Sequence, residues 1–168
     1  MITNNVTRYL QAHKVTFTAF ELPAEKLGAI ETARRLGVPA GQVFKTIVVL
    51  REKPGKPILA IIPGDREVDL KLLASAVNEK KLKLATQKEA EALTGLEVGG
   101  ISPLSLIHRG FQMVLDSSAA QYSEIHISGG QRGLNIRLPV KSLIELTNSR
   151  LFTISLPLEA SSELPDSV

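Results

Sequence analysis

VFKTIVVLREKPGKPILAIIPG, residues 43–64, decides the reading of the fold. Residues 43–50 are β-branched and almost continuously apolar, the pattern of a strand buried on both faces. KPGK at 53–56 is a turn, and residues 57–62 form a second apolar strand. The spacing predicts an antiparallel hairpin over 43–62, closed by Pro63 and Gly64. Within it, Lys45 is out of place. A lysine in such a strand either snorkels to water at the strand end or sits in a pocket, because lysine is rarely fully buried without a partner.

Towards the N-terminus, Val6 and Leu10 give a helical stripe over about 3–13, which Thr3 or Asn4 can cap. Residues 15–22 alternate as a strand that Pro23 stops, and AIETARRL at 29–36 reads as a helix ended by Gly37. Pro39 and Gly41 mark a turn. Towards the C-terminus, 69–77 has apolar residues at helical spacing and 81–85 is a short strand. Thr86 and Glu89 form a capping box for a helix over 86–93. GLEVGGISPLSL at 95–106 is a loop held against the core. Strands follow at 111–115, 125–127 and 134–138, the last two around SGGQRG at 128–133. Asp116 reads as a strand-end cap. Pro139 starts a helix over 140–146, and 151–156 is a last strand. The element order lacks strict strand–helix alternation, so the class is α+β with a mixed sheet, in one domain over residues 1–156. The remainder, 157–168, is polar and acidic and reads as a disordered tail.

Composition narrows the chemistry. A chain of 168 residues buries roughly 68–70% of its unfolded surface and needs no covalent staple. It has no cysteine, which removes a protein thiolate nucleophile, disulfides and Cys-type zinc sites. His13, His108 and His126 lack metal-ligand spacing, so no metal is expected. No GxxxxGK[ST] or GxGxxG pattern is present, so no nucleotide cofactor is expected either. No segment has signal-peptide character or the ~20 apolar residues of a membrane span, which predicts a soluble, cytoplasmic protein. The net charge of +3 and a pI near 9.3 suit a polyanionic partner without requiring one. Lys80, Lys81 and Lys83 read either as a solvated strand end or as a phosphate-backbone patch.

Two glycine pairs, Gly99-Gly100 and Gly129-Gly130, are either tight turns or places where backbone N–H groups meet a ligand. Ser102 and Ser128 lie in the same loops, but no GxSxG elbow marks a serine nucleophile. His126, in EIHIS, projects from one strand face, and His108-Arg109 is an exposed loop pair.

FKT at 44–46, GLEVGGISPL at 95–104 and SGGQRGL at 128–134 together resemble the YbaK/EbsC family of aminoacyl-tRNA deacylases, relatives of the editing domain of bacterial prolyl-tRNA synthetase. The three segments match in order and spacing, and the resemblance spans about residues 3–155. It implies a mostly antiparallel, partly barrel-like central sheet flanked by helices. It implies a free-standing, metal-free hydrolase without a cofactor. Its substrate would be an aminoacyl-tRNA, most closely cysteine on proline tRNA, and prolyl-tRNA synthetase a partner. Lys45 matches the family's functional lysine, and Gly99 the glycine whose backbone contacts the aminoacyl ester. Gly100, Ile101, Ser102 and Pro103 in the first loop, and Ser128, Gly129, Gly130, Arg132 and Asn135 in and after the second, are then substrate-binding. In this branch the substrate's own thiol attacks its ester.

Leu22 stands where family members often carry an aromatic residue, and Asn135 where close relatives carry an acidic one. These departures touch the expected pocket. They leave room for an enzyme that removes alanine or another small residue, and for a non-catalytic tRNA- or synthetase-binding module.

Overall fold

The computed structural model describes residues 2–158. The apolar strands at its centre are β2 (Phe44–Arg51) and β3 (Ile58–Pro63), paired antiparallel with Lys45 opposite Ile62 and Val49 opposite Ile58. β3 is buried along its whole length. Its alternate residues feed two cores. Leu59 and Ile61 join one with Phe44 and Val48, while Ile58, Ala60 and Ile62 join the other with Val49. This double burial is the reason the segment has no polar alternation.

Around the hairpin, β5 (Leu82–Leu84), β6 (Gln112–Asp116) and β9 (Arg150–Phe152) complete a five-stranded sheet in the order β5-β2-β3-β6-β9. β6 and β9 run parallel to their neighbours, and the other pairings are antiparallel. The first core is closed by a second, antiparallel sheet of β1 (Thr18–Glu21), β8 (Leu134–Pro139) and β7 (Glu124–Ser128). Val6 and Leu10 of α1 (Asn5–Ala12) and Leu143 of α5 (Val140–Thr147) fill its ends. The second core lies under Leu73 and Ala74 of α3 (Leu70–Ala76). α2 (Ala29–Leu36) and α4 (Gln87–Thr94) complete the helices. The predicted mixed, mostly antiparallel α+β architecture is what the chain adopts. The strands are shared among separate sheets rather than closed into a barrel, and one parallel bridge, Val43 to His126, joins the two larger ones.

The capping signals hold in detail. Asn4 caps α1 through Thr7, Thr86 and Glu89 form the box on α4, and Gly37 ends α2 in the left-handed region. The last predicted strand divides. Ile154 donates its N–H to Asp116 Oδ1 at 3.0 Å and accepts from Asp69 N–H at 2.8 Å. Those bonds take Ile154 out of the ladder, and the chain changes sheet: β10 (Ser155–Pro157) pairs with β4 (Arg66–Val68), a short strand the sequence reading lacks. Asp116 is thus a cap, as expected. Of the predicted tail, Pro157 lies in β10 and the residues from 159 on fall outside those described. Lys80, Lys81 and Lys83 are exposed beside and on the edge strand β5, where charge discourages edge-to-edge pairing.

Because Leu59 is wholly buried in the first core, Leu59→Ala is expected to lower the unfolding free energy by about 2–5 kcal/mol. Urea denaturation checks this, and an unchanged midpoint would contradict the assignment of β3 as the central strand.

Candidate functional site

Period-2 alternation builds the site on the outer face of the three-stranded sheet. Ile125, Ile127, Leu134, Ile136 and Leu138 turn into the core. The opposite parity is therefore left to Glu124, His126 and Ser128 on β7, Asn135 and Arg137 on β8, and Thr18 and Phe20 on β1. Ser128 and Phe20 flank Asn135 as its partners across the two strand pairs. At this end of the face, Ser128, Asn135 and Gly99 line one narrow cleft with Leu22, Glu25, Leu27, Gly28, Thr32, Gly133 and Leu134. Three residues singled out in the sequence, from two distant loops and a strand, thus share a wall. Gly28 and Thr32 bring the start of α2 to the same cleft. Gly28 has no side-chain cap on that helix, whose first N–H groups carry its positive dipole end.

The glycine loops are pressed together backbone to backbone. A Cβ on Gly100 would fall 2.8 Å from Gln131 Cα and 2.9 Å from Arg132 N. Only glycine permits that approach. Gly99, at φ +98°, turns the chain into the cleft. Arg132 ties the loops from outside: its Nε donates to Val98 O at 2.8 Å and its guanidinium pairs with Glu97 at 3.1 Å. Gly129 accepts from the Asn4 side chain at 2.9 Å, and Gly130 packs beside Ser105 and Val6. Ser102 is buried, and its Oγ accepts from Leu104 N–H to start a helical turn at Pro103. Ile101 lies on the far side of the first loop. With Val98, Thr46, Val48, Ala90 and Lys26 it lines a second cleft of about 570 Å³. Gly99, Ser128 and Asn135 are thus the predicted residues that meet at the first cleft, while Arg132, Ser102 and Pro103 shape the loops around it.

Lys45 does not snorkel. It is 1% exposed, and Nζ donates to Gly64 O at 3.2 Å. That bond uses one of three ammonium donors. Burial pushes its pKa down to about 8, against the opposing pull of Asp65 and Glu67. Lys45 is not in the wall of the first cleft. Between the two stand its acceptor Gly64 and Ala29, the neighbour of Gly28, packed so closely that a Cβ on Gly64 would lie 2.6 Å from Ala29 Cβ.

His126 lies one step behind Ser128 on the same strand face, 1% exposed, with Nδ1 2.8 Å from Asn135 Oδ1. Burial lowers its pKa, the Asn135 hydrogen bond opposes this, the Arg137 charge adds to the lowering and Glu124 opposes it. His108 and Arg109 are exposed, as expected of a loop pair. The sequence reading missed Glu25, Leu27, Gly28 and Thr32 at the cleft, and the contact between His126 and Asn135. For the latter, part of the signal was present, because 126 and 128, and likewise 135 and 137, fall on one face of their strands; that the two faces coincide follows from the register of β7 against β8.

The chain is 38% identical over 153 residues to the proposed Cys-tRNA(Pro)/Cys-tRNA(Cys) deacylase EbsC of Enterococcus faecalis, covering 90% of this chain and 92% of that one. It is 37% identical over 76 residues to the proline–tRNA ligase of Nitratidesulfovibrio vulgaris, covering 45% of this chain and 13% of the ligase. A solved structure of a proposed trans-editing enzyme for prolyl tRNA synthetase superposes with a TM-score of 0.74 at 26% identity, over 93% of this chain and 99% of that one. The profile of the aminoacyl-tRNA editing domain matches residues 24–146, and the chain belongs to that family.

Proposed function

We propose that the chain is a trans-editing hydrolase that removes a wrongly attached amino acid from tRNA, with Cys-tRNA(Pro) as its preferred substrate and the cytoplasm as its place of action. The observation that carries this reading is the joint lining of one small cleft by Gly99, Ser128 and Asn135. The similarity to EbsC supports the choice of cysteine, and the similarity to proline–tRNA ligase supports an association with that synthetase.

The chain has no cysteine to act as nucleophile, and the resemblance to the YbaK branch implies that the substrate supplies its own. The cysteinyl thiolate attacks its own ester carbonyl: the S–C bond forms, the C–O bond to the ribose breaks, and the ribose oxygen takes a proton. Water then opens the thiolactone. Correct placement of such an internal nucleophile can supply ~7–11 kcal/mol of the barrier. A donor aimed at the developing oxyanion adds ~2.7–4 kcal/mol. The backbone N–H of Gly99 supplies that donor, since the Gly100 N–H is held by Glu97 O at 2.8 Å. Lys45 keeps two N–H groups beyond its bond to Gly64. With a pKa near 8 it is about nine-tenths protonated at pH 7, and it acts on the ester or the 3′-terminal adenosine by its positive charge from behind the cleft wall rather than by contact.

Removal of alanine is a second reading, favoured by the wall of the cleft. Leu22, Leu27 and Leu134 are apolar, and a hydrophobic pocket separates side chains differing by one small group by only ~1–3 kcal/mol.

Ester loss from tRNA(Pro) charged separately with cysteine, alanine and proline tests both. Cysteine should leave fastest, by roughly 10-fold over proline. Faster loss of alanine would transfer the preference to the second reading. No loss from any of the three would leave a binding module and refute the hydrolase.

Lys45→Met should lower deacylation by ~10²–10³-fold while stabilising the fold at pH 7. The folded pKa of Lys45, about 8, lies below the 10.5 of the free side chain. Between those values the unfolded chain binds more protons, so the wild type gains stability as pH rises through that window. Below pH 8 the buried charge is a full cost, and the variant lacks it. The variant's advantage in urea should therefore be largest at pH 7 and shrink towards pH 10. Parallel curves for the two proteins would contradict it.

A further inference from the structure

An asparagine side chain has two nearly isosteric ends of opposite hydrogen-bonding character, and its surroundings decide which end faces which way. Asn135 lines the cleft, 2% exposed, beside Ser128. Its Oδ1 lies 2.8 Å from His126 Nδ1. The amide oxygen carries no hydrogen, so the ring nitrogen must supply the proton. Nδ1–H therefore donates to Oδ1, and the neutral ring leaves Nε2 bare. Nε2 is buried without a partner among the described residues. A group left in that condition costs free energy, and it calls for a reason.

The groups facing His126 are few. Phe20 packs on the ring with centroids 5.5 Å apart, Arg137 sits opposite on β8, Glu124 lies two residues back on the same face, and Val43 bridges from just before β2. Burial and the Arg137 charge keep the ring neutral. The opposite arrangement, with protonated Nε2 and Nδ1 accepting from the amide, would bury an orphaned donor in place of an orphaned acceptor. Orphaned donors are the rarer of the two.

We propose that His126 is a positioning residue: it holds the carbonyl end of Asn135 inside the protein, so that the amide N–H end is presented to the cleft as a donor for a ligand oxygen. On the deacylase reading above, that oxygen is the carbonyl oxygen of the aminoacyl ester, whose negative charge grows as the thiolate adds. A donor there strengthens its bond in the transition state and raises kcat rather than lowering KM.

The geometry is testable without substrate. In the free protein, ¹⁵N–¹H correlation spectra of the histidine ring should show His126 as the neutral Nδ1–H tautomer at pH 7. An Nε2–H tautomer would overturn the proposal, because Asn135 would then turn its oxygen to the cleft. Kinetics on Cys-tRNA(Pro) test the consequence. H126L and H126Q, which lack a donor at the Nδ1 position, should lose roughly 10- to 100-fold in kcat with little change in KM. H126N, whose amide N–H falls near Nδ1, should recover most of that loss. Asn135→Leu, which removes the amide donor altogether, should resemble H126L. Activities that follow the melting temperatures of the variants, rather than the presence of the donor, would overturn the positioning role. If the wild type proves inactive on every charged tRNA, the deacylase reading fails, and the tautomer alone decides the orientation of Asn135.

Discussion

Burial of β3 on both faces is the constraint on which the rest of the structure depends. A strand with no exposed side must have a layer above and a layer below, and the chain supplies them from different places. The three-stranded sheet covers Leu59 and Ile61, and α3 with Ile154 covers Ile58, Ala60 and Ile62. The three-stranded sheet is thus held against the hairpin by its inward apolar residues. Its outward face is thereby freed for polar groups. Core and site are the two parities of the same strands.

The site then needs only to be closed at one end of that face, and the glycine loops do this. At Gly100 the two backbones meet at a separation that leaves no room for a Cβ. Arg132 fixes the contact from outside through Val98 and Glu97. A wall built from close-packed backbone is stiff, and stiffness matters where catalysis rests on placement rather than on a protein nucleophile.

Much of this was legible in the sequence. The unbroken apolar run at 43–50 and 57–62 announced a doubly buried hairpin. Thr86 with Glu89, and Gly37, announced helix ends through local chemistry that does not depend on the rest of the chain. What escaped was set at a distance. The break at Ile154 depends on Asp116 and Asp69, which lie 38 and 85 residues away. Lys45 could be read as snorkelled or pocketed because the deciding neighbour, Gly64, is brought up only by hairpin register. Glu25, Leu27, Gly28 and Thr32 carry no pattern that marks a cleft; they line one because α2 begins there. The period-2 parity of His126 and Asn135 was readable, but that their side chains meet needed the register of β7 against β8.

The bridge between Val43 and His126 joins the two larger sheets, and the incompletely satisfied polar groups gather on either side of it. Two residues along β2 is Lys45, buried with donors to spare, and at the bridge itself is His126, whose Nε2 has no partner among the described residues. Each destabilises the fold, and apolar residues at both positions would pack more comfortably against Ile62 and Phe20. A sheet junction is a reasonable place for such groups. The ladder there is reduced to one bridge, so side chains meet across it without interrupting a run of strand hydrogen bonds. Local conflict with the rules of a good core is expected where a fold is adapted to bind rather than only to fold. Here His126 meets the cleft wall directly, through its bond to Asn135, while Lys45 lies behind that wall, with Gly64 and Ala29 between it and Gly28.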